Sequence, residues 1–322
     1  MSQAAVSRAY TPGACVSEAT RQKVFAAARQ LGYRPNLIAR SLIRGRSDII
    51  GMVVGHARNP FFTVALDRLS SRLRNAGRHL LVFTGESDAT ADVHVEDLLK
   101  YRVDALVLLW TGLSPALAER CRKEGITVVF LAGPRTDVEG FARISGANAA
   151  GASQIATHLI GQGYRSFGFM AGSDYWVSHE REQAFTAALQ ASGFPLPERE
   201  VGHFQREGAR EAMRLLLARR PRPEAIFCAN DNMALAAVEV ARYEFGIEVG
   251  RELGIAGFDG MDEAAWPSFD LTTYTQPIER MIEVMTDILL GGSGMTPEEI
   301  VVPGELKMRG STRRSPKPDR LD

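Results

Sequence analysis

The sequence predicts an α/β protein made of two doubly wound, parallel-sheet lobes, and three observations carry that reading. From residue 49 onward, short apolar runs alternate with amphipathic helical stretches, a spacing that requires crossover connections and hence parallel strands. The runs fall into two similar series, which suits two lobes better than one sheet. Polar residues follow directly on the runs, where a parallel sheet opens its binding crevice.

The elements follow in order. Gln3 to Arg8 read as the middle of a helix, with a Thr-Pro-Gly turn behind it. Residues 17–31 form a second helix: Ser17 is a good N-cap, Val24, Ala27, Ala28 and Leu31 share one face, and Gly32 supplies the stop. After Pro35, NLIARSLIRGR can form about two helical turns, too few to persist in water without a partner. The first strand series is IIGMVV (49–54), HLLVF (79–83), ALVLL (105–109), TVVFL (127–131) and ARISG (142–146), with helices expected at 62–76, 91–101 and 114–124. The second is FGFMAG (167–172), EVGHF (200–204), AIFCAN (225–230) and LGIAGF (253–258), again with helices between. Residues 313–322 read as a disordered tail.

Composition narrows the function. At 45% apolar and 24% charged the chain is an ordinary globular protein. It contains no apolar run long enough to span a membrane and no secretion signal, so the reading is a cytoplasmic protein. Cys15, Cys121 and Cys228 stand far apart, as reduced thiols do rather than a disulfide or zinc site. The net charge of zero hides an asymmetry: residues 1–48 carry eight Lys/Arg against two acids, and the remainder carries the opposite excess. A basic head on an acidic body fits a polyanion partner at one end; a solvated basic face fits the charge equally well.

Motifs for catalysis are missing. GGSG at 291–294 lacks the lysine of a phosphate loop, the glycines at 254, 257 and 260 miss the dinucleotide spacing, and HERE at 179–182 lacks the second histidine of a zinc helix. No nucleophile elbow occurs, so the reading is a protein that is not an enzyme and needs no cofactor or metal. The polar residues after the strands are the better candidates: Asn59 and Phe61, Thr84 and Glu86, Trp110, Asn148, Asn230 and Asp231, and Asp259. Each has a structural alternative, since Asn and Asp also cap helices, Asn230 or Asp231 above all.

RPNLIARSL followed by IIGMVV, then NPFF, GYRSFGFMAG, EREQAF, ANDNMALAAV, ELGIAGFDG and LTTYTQPI resemble, in order, the lactose-repressor (LacI/GalR) family of bacterial transcription regulators. The motifs run over nearly the whole chain. The resemblance implies a helix-turn-helix head (1–34, incomplete), a hinge helix and linker (35–48), and a two-lobed, periplasmic-binding-protein-like sensor (49–312). Its first lobe would take about 49–147 plus 276–290, its second 148–275 plus 291–312. SQAAVSRAY matches the family's recognition helix and VSEATRQKVFAAARQLGY its third helix. A first helix and turn, about fourteen residues, would then precede Ser2. A start codon set downstream of the true one, a shortened form and a variant without DNA binding all fit that gap. Without this helix, Val6, Val24 and Leu31 lose a packing partner.

The resemblance assigns roles by position. Gln3, Ala4 and Arg8 would meet base edges, where Gln suits adenine, Arg suits guanine and Ala meets a thymine methyl. Ser2, Ser7, Asn36 and Arg40 would hold phosphates, and Leu42 would wedge into the minor groove of a palindromic operator. Phe61, Arg181, Phe204, Asn230 and Asp259 would line an effector pocket, joined by Trp110 and Asn148 from the strand ends, with aromatic walls and charged forks suited to a polyhydroxylated ring or acid. Ala132 and Ala147 stand where many sugar-responsive members carry Asp, which leans the ligand toward a sugar acid over a neutral sugar. The implied protein is a dimeric, ligand-responsive regulator, a repressor, of carbohydrate or sugar-acid use. The alternative is a cytoplasmic sugar or sugar-acid binding protein that no longer touches DNA.

Overall fold

The computed structural model describes residues 2–10, 13–33, 46–55, 60–85, 91–134, 140–173, 175–291 and 299–314. Two short helices come first, α1 (Gln3–Ala9) and α2 (Glu18–Gln30). Each starts as its N-cap dictates: Ser2 Oγ accepts from the Ala5 N–H and Ser17 Oγ from the Thr20 N–H, both at 3.3 Å. Gly32, at φ +62°, ends the second. The two helices pack through Tyr10, whose ring lies 5.1 Å from Phe25 and 6.1 Å from Tyr33. Val24 and Ala28 are buried, so Val24 keeps cover, whereas Leu31 is 82% exposed. The hinge segment with Asn36, Arg40 and Leu42 lies outside the described residues.

The body is two six-stranded sheets, order β11-β5-β4-β3-β1-β2 and β12-β10-β9-β8-β6-β7. The first contains β1 (Ile49–Val54), β2 (His79–Thr84), β3 (Ala105–Leu109), β4 (Thr127–Leu131), β5 (Ala142–Gly146) and β11 (Glu299–Val302). The second contains β6 (Phe167–Ala171), β7 (Glu198–Val201), β8 (Ala225–Cys228), β9 (Gly254–Asp259), β10 (Thr272–Thr275) and β12 (Glu305–Lys307). All pairings are parallel except β10 with β12. Helices α3 (Pro60–Asn75), α4 (Ala91–Lys100), α5 (Pro115–Lys123) and α10 (Ile278–Gly291) flank the first sheet. Helices α6 (Asn148–Gly161), α7 (Trp176–Ala191), α8 (Arg206–Ala218) and α9 (Asp231–Glu239) flank the second.

Three details depart from the sequence reading. The stretch EVGHF is not one strand: β7 ends at Val201, and His203 and Phe204 both adopt φ +56°. That left-handed pair swings the chain out of the sheet and leaves Phe204 at its carboxyl end. Residues 291–312 do not all belong to the second lobe, because Glu299–Val302 pairs in parallel with β5 and closes the first sheet. Lastly, Arg314 is not part of a loose tail. Its Nη1 donates to the Gly163 carbonyl (2.6 Å) and Glu224 (2.8 Å), and its guanidinium lies over the Tyr164 ring. Residues 315–322 lie outside the described residues.

The chain passes between the sheets at Gly146–Asn148, Thr275–Ile278 and Val302–Glu305. Close packing there leaves little freedom: a Cβ on Gly146 would collide with Gln276, and one on Gly304 with the Thr275 carbonyl. In the second lobe Phe169, Phe185, Phe227, Phe258 and Tyr274 form a continuous aromatic column, centroid to centroid 4.9–6.4 Å. Phe227 touches three of these rings and is fully buried. Phe227→Ala is therefore expected to cost about 3–5 kcal/mol. Leu215→Ala, on a half-exposed side chain, should stay within about 0.5 kcal/mol; urea midpoints of the two variants check both.

Candidate functional site

The carboxyl ends of the strands face the junction of the lobes, and one buried cation organises them. Arg181 sits on the second turn of α7 with 3% of its surface exposed. Its Nε donates to Asn148 Oδ1 (3.0 Å), and its Nη1 to the Ala229 carbonyl (2.5 Å) and Asp259 Oδ1 (3.4 Å). The guanidinium lies 3.7 Å from the Phe258 ring centroid. Three separate segments, at the ends of β5, β8 and β9, thus converge on one side chain. Asn148 uses both ends of its amide, donating through Nδ2 to Glu180 Oε2 at 3.1 Å. Asp259 also accepts from Gln276 Nε2 at 2.7 Å, so the second interlobe crossing is tied to the same site.

Asn230 caps α9, its Oδ1 accepting from the Met233 N–H at 3.0 Å. The capping alternative raised by the sequence is thus correct for its oxygen. Its Nδ2, however, is buried without a hydrogen-bond partner among the described residues. A buried amide donor left open is what a ligand acceptor would satisfy. Phe61 and Trp110 pair on the first lobe with centroids 5.3 Å apart. Phe204 packs its ring over Gly172, where any Cβ would collide with it, and its carbonyl accepts from Asn232 Nδ2 at 3.1 Å. The structure therefore joins Arg181, Asn148 and Asp259 directly and pairs Phe61 with Trp110. Phe204 and Asn230 reach the group through Asn232, Ala229 and the α9 N-terminus.

Backbone strain collects at the same ends. Trp110, Ala132, Phe204 and Asp259 all hold positive φ, from +50° to +122°, a conformation that costs a side-chain-bearing residue about 1–3 kcal/mol. Ala132 is buried and Ala147 stands at the α6 N-cap without a side-chain bond, so neither position presents a side-chain acceptor.

Sequence reasoning missed Gln276 and the role of Asp231. Asp231 Oδ2 accepts from the N–H groups of Gly260 (2.7 Å) and Met261 (2.8 Å), which anchors the loop that follows Asp259. A Cβ on Gly257 would run into the other oxygen, so β9 must carry glycine there. Burial, helped by the Asp259 charge and opposed by those N–H donors, pushes the Asp231 carboxyl up to about 7. Burial also raises Asp259 against the pull of Arg181 and Gln276, and lowers Arg181 against Asp259, Asp231 and Glu180. A tandem Asn-Asp directly after a strand was the one available signal for Asp231.

On the head, Ala4, Ser7 and Arg8 share an exposed face of α1, and Ser2 caps that helix. Gln3 opens it.

A family profile described as periplasmic binding protein-like domain matches residues 156–312. The HTH-type transcriptional repressor PurR of Photobacterium profundum is 31% identical over 282 residues, 85% of this chain and 83% of that protein. The chain belongs to the LacI/GalR family of transcription regulators. Another relative, the regulator CelR of Thermobifida fusca, is 30% identical over 95% of this chain and 93% of its own length. The solved CelR–cellobiose complex superimposes with a TM-score of 0.71 at 27% identity, covering 95% of this chain and 94% of that one. The Lac repressor dimer bound to operator and the anti-inducer ONPF shares the fold, with a TM-score of 0.84 at 24% identity over 96% and 94% of the two chains. In this LacI/GalR regulator, among the described residues, no helix is long and apolar enough to cross a membrane.

The Asp231 carboxyl gives the LacI/GalR sensor a pH signature of known sign. The folded chain holds that proton up to about pH 7, while the unfolded chain releases it near 3.8. The folded state binds more protons between those values, so stability falls as pH rises through them. Asp231→Asn keeps an acceptor for the two N–H groups and removes the charge. Its urea midpoint is expected to fall less between pH 5 and pH 8 than that of the parent.

Proposed function

We propose that the protein is an operator-binding regulator, a repressor, whose DNA affinity responds to a sugar or sugar acid held between the lobes. The observation that carries the ligand assignment is the set of unfilled and forked polar groups around Arg181. Asn230 offers an unused donor, Asp259 an acceptor and Arg181 a planar cation, with Phe61, Trp110 and Phe204 as aromatic surfaces. A polyhydroxylated ring satisfies donors and acceptors together while stacking its apolar face. Binding at that junction biases the relative placement of the lobes, and through a homodimer the spacing of two heads on a palindromic operator in the cytoplasm. The family relation and the cellobiose bound by the CelR relative support this reading.

The sequence leans toward an anion because two acidic positions are alanine. The Asp259 carboxylate beside Arg181 offsets that lean, since it already balances the cation. Asp259→Asn separates the two cases. For a neutral sugar, loss of the charged acceptor is expected to weaken binding about tenfold, roughly 1.4 kcal/mol. For the matching sugar acid, removing a like charge should leave affinity unchanged or raise it. Calorimetric titration with paired neutral and oxidised sugars reads the difference.

Operator binding is tested by fluorescence anisotropy at one fixed salt concentration, against a pool of palindromes with a central CG step. Selection of one sequence, with an affinity that shifts on adding the ligand found above, is the expected result; a folded sensor that binds ligand but selects no DNA overturns it. Arg8→Ala should cost about 1–3 kcal/mol at the selected site and relax specificity at one base pair.

A further inference from the structure

Beyond the ligand groups, a second buried cation lies across the junction of the lobes. Arg143, on β5 of the first lobe, is 4% exposed. Its Nε donates to the Gly133 carbonyl at 2.9 Å, its Nη1 pairs with Glu299 on β11, and its Nη2 lies 3.8 Å from Glu180 Oε1 on α7 of the second lobe. The same guanidinium stacks over the indole of Trp176, 4.4 Å from the ring centroid. Trp176 opens α7, yet it and Tyr175 pack against the apolar cluster of the first lobe, which includes Phe61 and Trp110. The Trp176 Nε1 is buried with no hydrogen bond among the described residues. That indole is therefore held by stacking and packing, not by a polar tether.

These contacts join the ligand site in one line. Asp259 pairs with Arg181, Arg181 with Asn148, Asn148 with Glu180, Glu180 with Arg143, and Arg143 with Glu299. The charges alternate from the second sheet to the edge strand of the first. Glu180 is the shared element: one oxygen takes the Asn148 amide that orients Arg181, and the other faces Arg143.

We propose that Arg143, Trp176 and Glu180 form a latch between the lobes, so that the geometry of Arg181 and the pairing of the lobes are set by one network. The physical case is that the stack is between partners on different lobes and that its cation is buried while the indole is partly covered, and removal of the cation from water strengthens a cation–π contact. Any opening of the junction at this point must separate Arg143 from Trp176 and expose the indole. The latch acts without ligand, so it stands or falls independently of the sugar assignment and of DNA binding.

The test uses the ligand-free full chain with Trp110→Phe and Trp266→Phe, which leaves Trp176 as the single tryptophan. Acrylamide, a neutral quencher, reports exposure of the indole, and small-angle X-ray scattering reports the separation of the lobes. Arg143→Met is expected to raise the quenching constant at least twofold and to increase the radius of gyration, and Arg143→Lys to restore part of both. Glu180→Gln keeps the shape of the side chain and guards against a failure of Arg143→Met to fold; it should raise quenching in the same direction. In the double variant the increase should not exceed that of Arg143→Met alone, because both act on one contact. Unchanged quenching and scattering in folded Arg143→Met, or in Glu180→Gln where Arg143→Met does not fold, overturn the latch.

Discussion

Burial of the Arg181 guanidinium is the constraint around which the sensor is arranged. A cation removed from water is tolerated only when its donors are met and its charge is opposed. Here the Ala229 carbonyl, the Asn148 amide and the Asp259 carboxylate meet them, and each comes from a different strand end. The demand reaches further, because Asp259 must be held at φ +122° to present its oxygen. Asp231 secures the turn after it through two backbone N–H groups, and Gln276 secures the carboxylate from the interlobe crossing. One charge therefore fixes the relation of β5, β8 and β9 at the place where the lobes meet.

The aromatic column explains how the second lobe bears this arrangement. Phe258 lies beneath Arg181 and against Tyr274, whose hydroxyl oxygen in turn accepts from the Gly304 N–H at 2.8 Å. The site rests on a rigid, apolar floor rather than on loops. Glycine is required where polar groups approach this floor closely, at Gly257 beside Asp231 and at Gly172 beneath Phe204. The polar residues thus occupy a small number of prepared positions in an otherwise apolar junction.

Among its described residues, the amino-terminal segment is held together by a small aromatic cluster. Its helices pack through Tyr10, Phe25 and Tyr33, a small cluster beside the extensive cores of the lobes. Where the chain enters the sensor, Ser47 and Asp48 are tied down: the Ser47 and Asp48 N–H groups donate to Asp104 at 2.8 and 3.0 Å, and Arg78 bridges Asp48 and Asp104. The entry to β1 is therefore a charged clamp at the amino ends of β1, β2 and β3, opposite the carboxyl-end site built around Arg181. Basic charge is concentrated ahead of it and acidic charge predominates behind it.

Much of this was legible in the sequence. β1, β3, β4 and β5 lie where their apolar runs lie, and Ser17 and Gly32 bound α2, because strand patterning, capping and left-handed glycine are local properties. The strand-end rule found Arg181's partners Asn148 and Asp259, and the aromatic residues Phe61 and Trp110, by position alone. The ending of β7 was not legible, since His203 and Phe204 take a left-handed turn that neither residue type prefers. Nor was the return of Glu299–Val302 to the first sheet, because the partner of a strand is chosen by distant residues. Local sequence determined which segments are strands and helices and where their polar ends lie. Only the tertiary structure decided which of those ends share a buried charge, because the cost of burying Arg181 and Arg143 is met by groups far apart in the chain.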